Sequence, residues 1–134
     1  FDSHLTYMLR LHTPAARTLR LVRPFASAAS RVQLVASDAM YENALAQTNL
    51  TIVYFTAAWC GPCRMISPIY EQLASEHVDA TFLKVDVDEM PDIAESARVS
   101  AMPTFQLVRE GKLLDTIIGA DAARLRSTIL THTA

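Results

Sequence analysis

The two cysteines of this 134-residue chain lie three positions apart, in the segment Trp59-Cys60-Gly61-Pro62-Cys63. If a helix begins at the first cysteine, positions i and i+3 lie on the same face, and the two sulfurs can bond without moving the backbone. Such a pair can join and open reversibly as a dithiol/disulfide couple. The spacing therefore indicates thiol–disulfide exchange chemistry.

The flanking sequence predicts that a helix does begin at this pair. Residues 50–56 are rich in β-branched and aromatic side chains, which is typical of a buried strand, and residues 57–59 follow as a turn. Pro62 then falls in the first helical turn, where its missing N–H costs nothing. Apolar residues recur after it at helical spacing: Met65, Ile66, Ile69, Tyr70 and Leu73. We expect a helix from Cys60 to about His77, kinked by Pro68.

This position assigns different roles to the two thiols. Free N–H groups and the positive end of the helix dipole favour a negative sulfur at a helix N-terminus. A free cysteine has a pKa of about 8.5, and such surroundings lower the pKa of a thiol toward neutrality. Cys60 is the expected nucleophile. Cys63, one turn into the helix and more shielded, is the expected resolving group that releases the reduced substrate. Gly61 permits close approach of a substrate chain, and Pro62 stiffens the loop.

A structural zinc site and an inert disulfide are the two alternative roles for the cysteine pair. A structural zinc ion needs four ligands, but the chain has only two cysteines, and its histidines lie outside close metal-type spacing with them. An inert structural disulfide across so short a loop would constrain the unfolded chain little. We therefore expect redox exchange and no bound metal.

Five segments, in order from about Val32 to the C-terminus, resemble the thioredoxin family. They are Trp59-Cys60-Gly61-Pro62-Cys63-Arg64-Met65, Lys84-Val85-Asp86-Val87-Asp88-Glu89, Pro91-Asp92-Ile93-Ala94, Ala101-Met102-Pro103-Thr104-Phe105 and Ile117-Ile118-Gly119-Ala120. Residues 85–89, 91–94 and the Ile-Gly-Ala segment are most similar to fungal mitochondrial thioredoxins. The resemblance implies an α/β thioredoxin fold, in which a central mixed β-sheet is flanked by helices on both faces. It also implies a protein-disulfide reductase.

The resemblance extends to the residues around the cysteines. Trp59 would flank Cys60 with a partly exposed ring, and Pro103 would be a cis-proline opposite the active site. The backbone of Met102 would pair with an extended substrate segment, and Gly119 would give that segment room. A core tryptophan, a trans-proline that starts a strand and a plain turn glycine are the alternatives.

One position departs from the family pattern. Thioredoxins usually carry a buried aspartate five residues before the tryptophan, and this position is Tyr54 here. The family assigns that aspartate to proton transfer with the residue that corresponds to Cys63. A phenol ionises near pH 10, so Tyr54 is not expected to act as a base; it would donate a hydrogen bond or fill the core. Lys84, the usual neighbour of the aspartate, would turn to solvent, find another acid or lose its charge. As a nearby cation it would favour the Cys63 thiolate directly.

The resemblance also implies the source of electrons. We expect no bound cofactor, because the chain has no glycine-rich dinucleotide loop. Electrons would come from NADPH through a thioredoxin reductase, and the clients would be disulfide-containing proteins such as peroxiredoxins. A protein-disulfide oxidase or isomerase is one alternative, although Pro62 stands where that family usually has histidine. A binding module with weak redox turnover is the other, because Tyr54 replaces the usual aspartate.

Residues 31–134 are about 100 residues long, a typical size for one hydrophobic core, so they predict one domain. Strands are expected at residues 31–35, 50–56, 81–86, 104–108 and 112–118, the last two forming a hairpin at Glu110-Gly111. Helices are expected from Ser37 to about Gln47, from Cys60 to about His77, from Pro91 to about Arg98, and from Asp121 onward. The last helix should bury Leu125, Ile129 and Leu130.

The first part of the chain has a different charge. Residues 1–37 hold five arginines and one acid, whereas residues 38–134 have a net charge of −6. Five apolar residues cluster on one side of a helical projection, away from the arginines: Leu11, Ala15, Leu19, Val22 and Ala26. This pattern predicts that residues 1–30 are a mitochondrial transit peptide, in which residues 1–7 are vector-derived or an upstream extension.

Matrix localisation follows from that prediction, and a basic tail on a cytoplasmic protein is the alternative. No run approaches the length needed to span a bilayer. A nucleic-acid partner is not expected, because the folded part is acidic.

Overall fold

Residues 29–134 are the part of the chain that the structure, a computed structural model, describes. The predicted transit peptide lies almost entirely outside these residues. The elements are β1 (Val32–Leu34), α1 (Asp38–Leu45), β2 (Thr51–Thr56), α2 (Gly61–Glu76), β3 (Thr81–Asp86), α3 (Pro91–Ser96), β4 (Thr104–Arg109), β5 (Lys112–Ile118) and α4 (Ala122–Thr133).

The five strands form one mixed sheet in the order β1-β3-β2-β4-β5. Strands β1, β3 and β2 run parallel, and β4 and β5 run antiparallel to their neighbours. Parallel strands need crossover connections, and here α1 links β1 to β2 while α2 links β2 to its neighbour β3. The carboxyl ends of β2 and β3 consequently meet at the edge of the sheet where α2 begins.

Helices cover both faces of this sheet, as the sequence predicts. Successive side chains of a strand point to opposite faces, so Ile52 and Tyr54 of β2 face one way, and Val53 and Phe55 face the other. The first face packs against α2 and α4, and the second packs against α1 and α3. The central strand β2 is therefore buried along its whole length.

The helix ends differ from the predicted ones by a few residues. Helix α1 stops at Leu45 rather than near Gln47, with Ala46 as its C-cap. Helix α3 stops at Ser96 because Arg98 adopts a φ of 58°, the left-handed conformation that ends many helices. The predicted burial of Leu130 is wrong, since its side chain is 58% exposed. It lies one position, about 100°, beyond the buried Ile129 on α4.

Pro68 lies inside α2 without ending it. A proline at this position has no N–H to donate to the carbonyl of Arg64, four residues earlier. A kink at this point stays a prediction.

Tyr70 of α2 ties this helix to the sheet beneath it. Its ring is buried, and its hydroxyl lies 3.0 Å from the carbonyl oxygen of Ile52 and 2.7 Å from that of Leu83. Burial raises the pKa of Tyr70 well above its usual value of 10.0. The folded protein therefore keeps this phenol neutral at a pH at which the unfolded chain ionises it.

We expect this phenol to make the protein less stable in alkali. Above about pH 10 the unfolded chain loses a proton that the folded protein retains, so the free energy of unfolding falls as the pH rises. Tyr70→Phe should cost about 1 kcal/mol at pH 8 through the lost hydrogen bond, but should lose less stability than the parent between pH 8 and pH 11. Urea unfolding at the two pH values measures both quantities. Equal losses in parent and variant would exclude Tyr70 as the cause.

Candidate active site

The two cysteines form a disulfide at the start of α2. Their Cα atoms are 5.3 Å apart. Cys60 is the N-cap of the helix, with an extended backbone, and Cys63 lies one turn into it. The i and i+3 geometry predicted from the sequence is thus confirmed.

The helix N-terminus provides a hydrogen-bond donor to the first sulfur. The backbone N–H of Cys63 donates to Sγ of Cys60 over 3.2 Å. Pro62 occupies the first turn, which contains no acidic residue. A thiolate at Cys60 would therefore gain both this bond and the helix dipole, an interaction of about 0.3 to 2 kcal/mol. The arrangement favours an ionised Cys60.

Burial does not distinguish the two cysteines in the disulfide form. Cys60 is 3% exposed and Cys63 is 2% exposed, so Cys63 is not more shielded from solvent than Cys60, contrary to the expectation. The segment around them is more open, because Gly61 and Pro62 are exposed and the Trp59 side chain is 67% exposed. An incoming chain would meet Cys60 from this side, since Cys63 lies within the helix.

Trp59 is held at the surface by a residue from the turn after β3. Its indole Nε1 donates a hydrogen bond of 2.9 Å to Oδ2 of Asp88, which follows β3. Our sequence analysis gave Asp88 no role, although it lies in one of the family-like segments. The bond fixes an exposed ring beside Cys60.

Three further residues that the family resemblance assigned to the site lie together at one end of β4. The Met102–Pro103 peptide bond is cis, and Pro103 is buried. Met102 packs against the core cluster that contains both cysteines. The backbone N–H of Gly119 donates to the carbonyl of Pro103 over 2.9 Å, so the end of β5 lies beside Pro103.

Gly119 has a backbone conformation that favours glycine. Its φ is +99°, whereas a Cβ added at either Gly119 or Gly61 would meet no atom within 4 Å. We expect Gly119→Ala to destabilise the fold by about 1 to 2 kcal/mol through backbone strain alone. Gly61→Ala is the matched control: no positive φ opposes it, and alanine favours the first turn of α2. Thermal unfolding of both variants measures the difference, and equal stabilities would contradict the assignment of strain.

Tyr54 contacts the backbone of Cys63 rather than its sulfur. Its side chain is 1% exposed, and its ring stacks on that of Phe105 with the ring centroids 4.9 Å apart. Its hydroxyl donates to the carbonyl oxygen of Cys63 at 3.0 Å and lies 2.9 Å from Oγ of Ser67. Ser67 donates to the same carbonyl over 2.7 Å. Tyr54 is therefore a core residue that helps to hold the first turn of α2.

Ser67 is a site residue that our sequence analysis missed. It follows Cys63 by four positions, so it lies above Cys63 on the same helix face, and that spacing could have revealed it. Together with Tyr54 it keeps the carbonyl of Cys63 hydrogen-bonded inside the protein.

Lys84 lies beside Tyr54 in the parallel pairing of β2 and β3, where the two residues are register partners. Its side chain is half-buried, and within residues 29–134 it takes part in no ion pair. It lines a cavity of about 300 Å³ together with Cys63 and Asp86. Lys84 therefore borders the same cavity as Cys63, and position 54 supplies no carboxylate to pair with it.

A larger cavity of about 610 Å³ lies at the opposite end of the sheet, where Asn49, His77 and Arg109 contribute to its walls. It is separated from the cysteines by the length of β2. Among residues 29–134 no group of three or more His, Cys, Asp or Glu side chains is placed to hold a metal ion. Each helix in this part of the chain is too short or too polar to span a bilayer.

Known proteins resemble this chain in both sequence and fold. A family model described as Thioredoxin matches residues 32–131. The chain is 38% identical over 103 residues to Thioredoxin 1 of Plasmodium falciparum, which covers 77% of this chain and 99% of that protein. It is 47% identical over 87 residues to a TPR repeat-containing thioredoxin of Arabidopsis thaliana, covering 65% of this chain but only 23% of the longer protein.

Solved structures give the same result. Mitochondrial Thioredoxin 3 from Saccharomyces cerevisiae superposes with a TM-score of 0.71 at 38% identity, covering 75% of this chain and 94% of that one. A yeast structure that describes the thiol resolving mechanism in mitochondrial 1-Cys peroxiredoxin via glutathione/thioredoxin systems superposes with a TM-score of 0.71 at 37% identity. It covers the same shares of the two chains. The chain belongs to the thioredoxin family, and it is a thiol–disulfide oxidoreductase that reduces protein disulfides through the Cys60–Cys63 pair.

Proposed function

We propose that Cys60 attacks client disulfides and that Cys63 resolves the mixed disulfide. The Cys60 thiolate would attack one sulfur of the client, which breaks the client disulfide and joins that sulfur to Cys60. Cys63 would then attack Cys60, so that the client leaves fully reduced and the protein keeps the Cys60–Cys63 bond. The single observation that carries this order is the N–H of Cys63 that donates to Sγ of Cys60 at the helix N-cap.

We also propose a client-binding surface around the pair. The exposed Trp59 ring, Met102 and the neighbouring Pro103 and Gly119 would form it. An extended client segment would hydrogen-bond to the backbone of Met102, in the manner of an added strand. Cys60, next to Trp59 and before the helix, would meet the client disulfide first.

Electrons would reach the pair from NADPH through a thioredoxin reductase. The chain has only three glycines, Gly61, Gly111 and Gly119, and they are too far apart to form a dinucleotide-binding loop. The nicotinamide would therefore be bound by the partner. This chain would carry only the two electrons of the Cys60–Cys63 pair.

A coupled assay tests this function. Insulin reduction with NADPH and a thioredoxin reductase should proceed with the parent protein and stop with Cys60→Ser. A protein that binds clients but consumes no NADPH would instead be a binding module. A measured reduction potential near −120 to −180 mV would indicate an oxidase or isomerase, whereas a reductant should lie at about −230 mV or below.

We further propose that the protein acts in the mitochondrial matrix, with peroxiredoxins among its clients. Three observations support this: the arginine-rich, acid-poor first segment, the likeness to Mitochondrial Thioredoxin 3 from Saccharomyces cerevisiae, and the likeness to a structure that concerns yeast mitochondrial 1-Cys peroxiredoxin. The segments at residues 85–89 and 91–94 resemble fungal mitochondrial thioredoxins and favour the same assignment.

Import into isolated mitochondria tests the location. The full chain should become protected from added protease, whereas a variant with Arg10, Arg17, Arg20 and Arg23 replaced by glutamine should stay outside. Equal exclusion of both proteins would favour a cytoplasmic location.

A further inference from the structure

We propose that Asp86 accepts the proton of Cys63 in the resolving step, through water in the cavity that both residues line. This inference rests on the proposed roles of the two cysteines. Asp86 would replace the aspartate that is absent at position 54.

Asp86 lies at the end of β3, next to the start of α2. It is the register partner of Thr56, the last residue of β2. Lys84 and Asp86 are two positions apart on one strand, so they share a face of the sheet, and Tyr54 lies on that face as the partner of Lys84. This is the face that α2 covers with Cys63. The fold thereby brings a carboxylate from β3 to the first turn of α2.

The cavity between these elements has a volume of about 300 Å³, and five of its lining side chains are polar or charged: Thr56, Arg64, Ser67, Lys84 and Asp86. Cys63 lines it as well. A water molecule occupies roughly 30 Å³ in the liquid, so several waters fit between the cysteine and the carboxylate. These waters would find hydroxyl, ammonium and carboxylate partners in the walls. The cavity can hold a short hydrogen-bonded chain.

The carboxylate of Asp86 is held in place and has one free oxygen. Its Oδ1 accepts hydrogen bonds from the backbone N–H groups of Asp88 at 2.9 Å and Glu89 at 3.4 Å. Within residues 29–134 its Oδ2 has no hydrogen-bond or ion-pair partner. Asp86 is the one carboxylate in the cavity lining. Oδ2 is therefore available to receive a proton.

The other titratable groups at this site suit the role less well. Tyr54 is hydrogen-bonded to the carbonyl of Cys63 and to Ser67. Lys84 from β3 and Arg64 from α2 are cations, so they can stabilise a thiolate at Cys63 but cannot accept its proton. Strand β2 contributes no charged residue to the cavity.

The resolving step moves one proton and exchanges one disulfide bond for another. The S–H bond of Cys63 breaks and its proton passes through water to Asp86. The Cys63 thiolate attacks Sγ of Cys60, the Cys60–Cys63 bond forms, and the bond from Cys60 to the client breaks. The client sulfur leaves as a thiolate with the electron pair of that bond and takes a proton from solvent. Asp86 then returns its proton to bulk water.

Asp86→Asn tests this role and keeps the local structure, because the amide oxygen can still accept from Asp88 and Glu89. The matched control is Asp79→Asn, which makes the same charge change at an exposed residue before the amino end of β3. Full-length protein is reduced and mixed with a client disulfide, and the mixed disulfide is followed by quenched mass spectrometry. At pH 6.5 we expect its resolution to slow about tenfold in Asp86→Asn and not at all in the control.

The pH dependence separates a proton acceptor from a structural residue. The tenfold difference should close by about pH 9, where a free thiol ionises without help. Resolution at the parent rate at pH 6.5, an equal slowing at both pH values, or the same slowing in the control would overturn the role of Asp86. If the parent forms no mixed disulfide on Cys60 at all, the roles of the two cysteines are overturned as well.

Discussion

Replacing Cys63 with serine is expected to stop turnover and leave the client attached to Cys60. Serine keeps the backbone N–H that donates to Sγ of Cys60, so the first attack should proceed. The second attack is lost, and only an external thiol can release the client. Well-oriented intramolecular reactions have effective molarities of about 10⁵ M or more, so resolution should slow by at least about 10³-fold. Client reduction coupled to NADPH oxidation measures turnover, and non-reducing mass spectrometry detects the adduct.

Cys60→Ser is the matched control for this experiment. It should be equally inactive but should form no adduct, because Cys63 lies inside the helix. If instead Cys60→Ser traps the client and Cys63→Ser does not, the order of the two attacks is reversed.

Replacing Tyr54 with aspartate should have the second largest effect, first on stability. The ring is 1% exposed and contacts Phe105 and Tyr70, with centroid distances of 4.9 and 5.0 Å. Removing a buried aromatic ring costs about 3 to 5 kcal/mol, and burying a carboxyl group adds to that cost. The free energy of unfolding, measured in urea at pH 7, should fall by at least this amount.

The same substitution should change the chemistry at Cys63. A carboxylate at position 54 would lie beside its register partner Lys84 and would add a second proton acceptor near the resolving thiol. We therefore expect fast resolution of the mixed disulfide to extend to lower pH. Tyr54→Asn is the matched control, because it leaves the same space without an ionisable group. Identical pH–rate profiles for the two folded variants would show that a missing base does not limit the parent.

Local sequence predicted the fold and the cysteine geometry well. The alternation in residues 81–86 predicted β3, and the apolar run at 50–56 predicted β2. Both patterns can be read from consecutive residues, because side chains along a strand alternate between its two faces. The N-cap position of Cys60 followed from Pro62 and the helical pattern after it. The predicted burial of Leu130 was wrong because the apolar pattern did not resolve which side of α4 meets the sheet.

Contacts between distant segments were not predictable in this way. The bond between Trp59 and Asp88 joins residues 29 positions apart. The cavity beside Cys63 depends on where α2 lies over β2 and β3, and this placement brings Asp86 to the site. The sequence identified the departure at Tyr54, but only the structure shows that its hydroxyl contacts a carbonyl rather than a sulfur.

The pH dependence of alkylation in the reduced protein tests the central claim most directly. Iodoacetamide reacts with the thiolate, so its rate at each cysteine, resolved by peptide mass spectrometry, reports how much of that thiol is ionised. The helix N-cap predicts that Cys60 reacts first, with a midpoint at least one unit below the value of about 8.5 for a free cysteine. Equal rates at Cys60 and Cys63, with both midpoints near 8.5, would contradict the account.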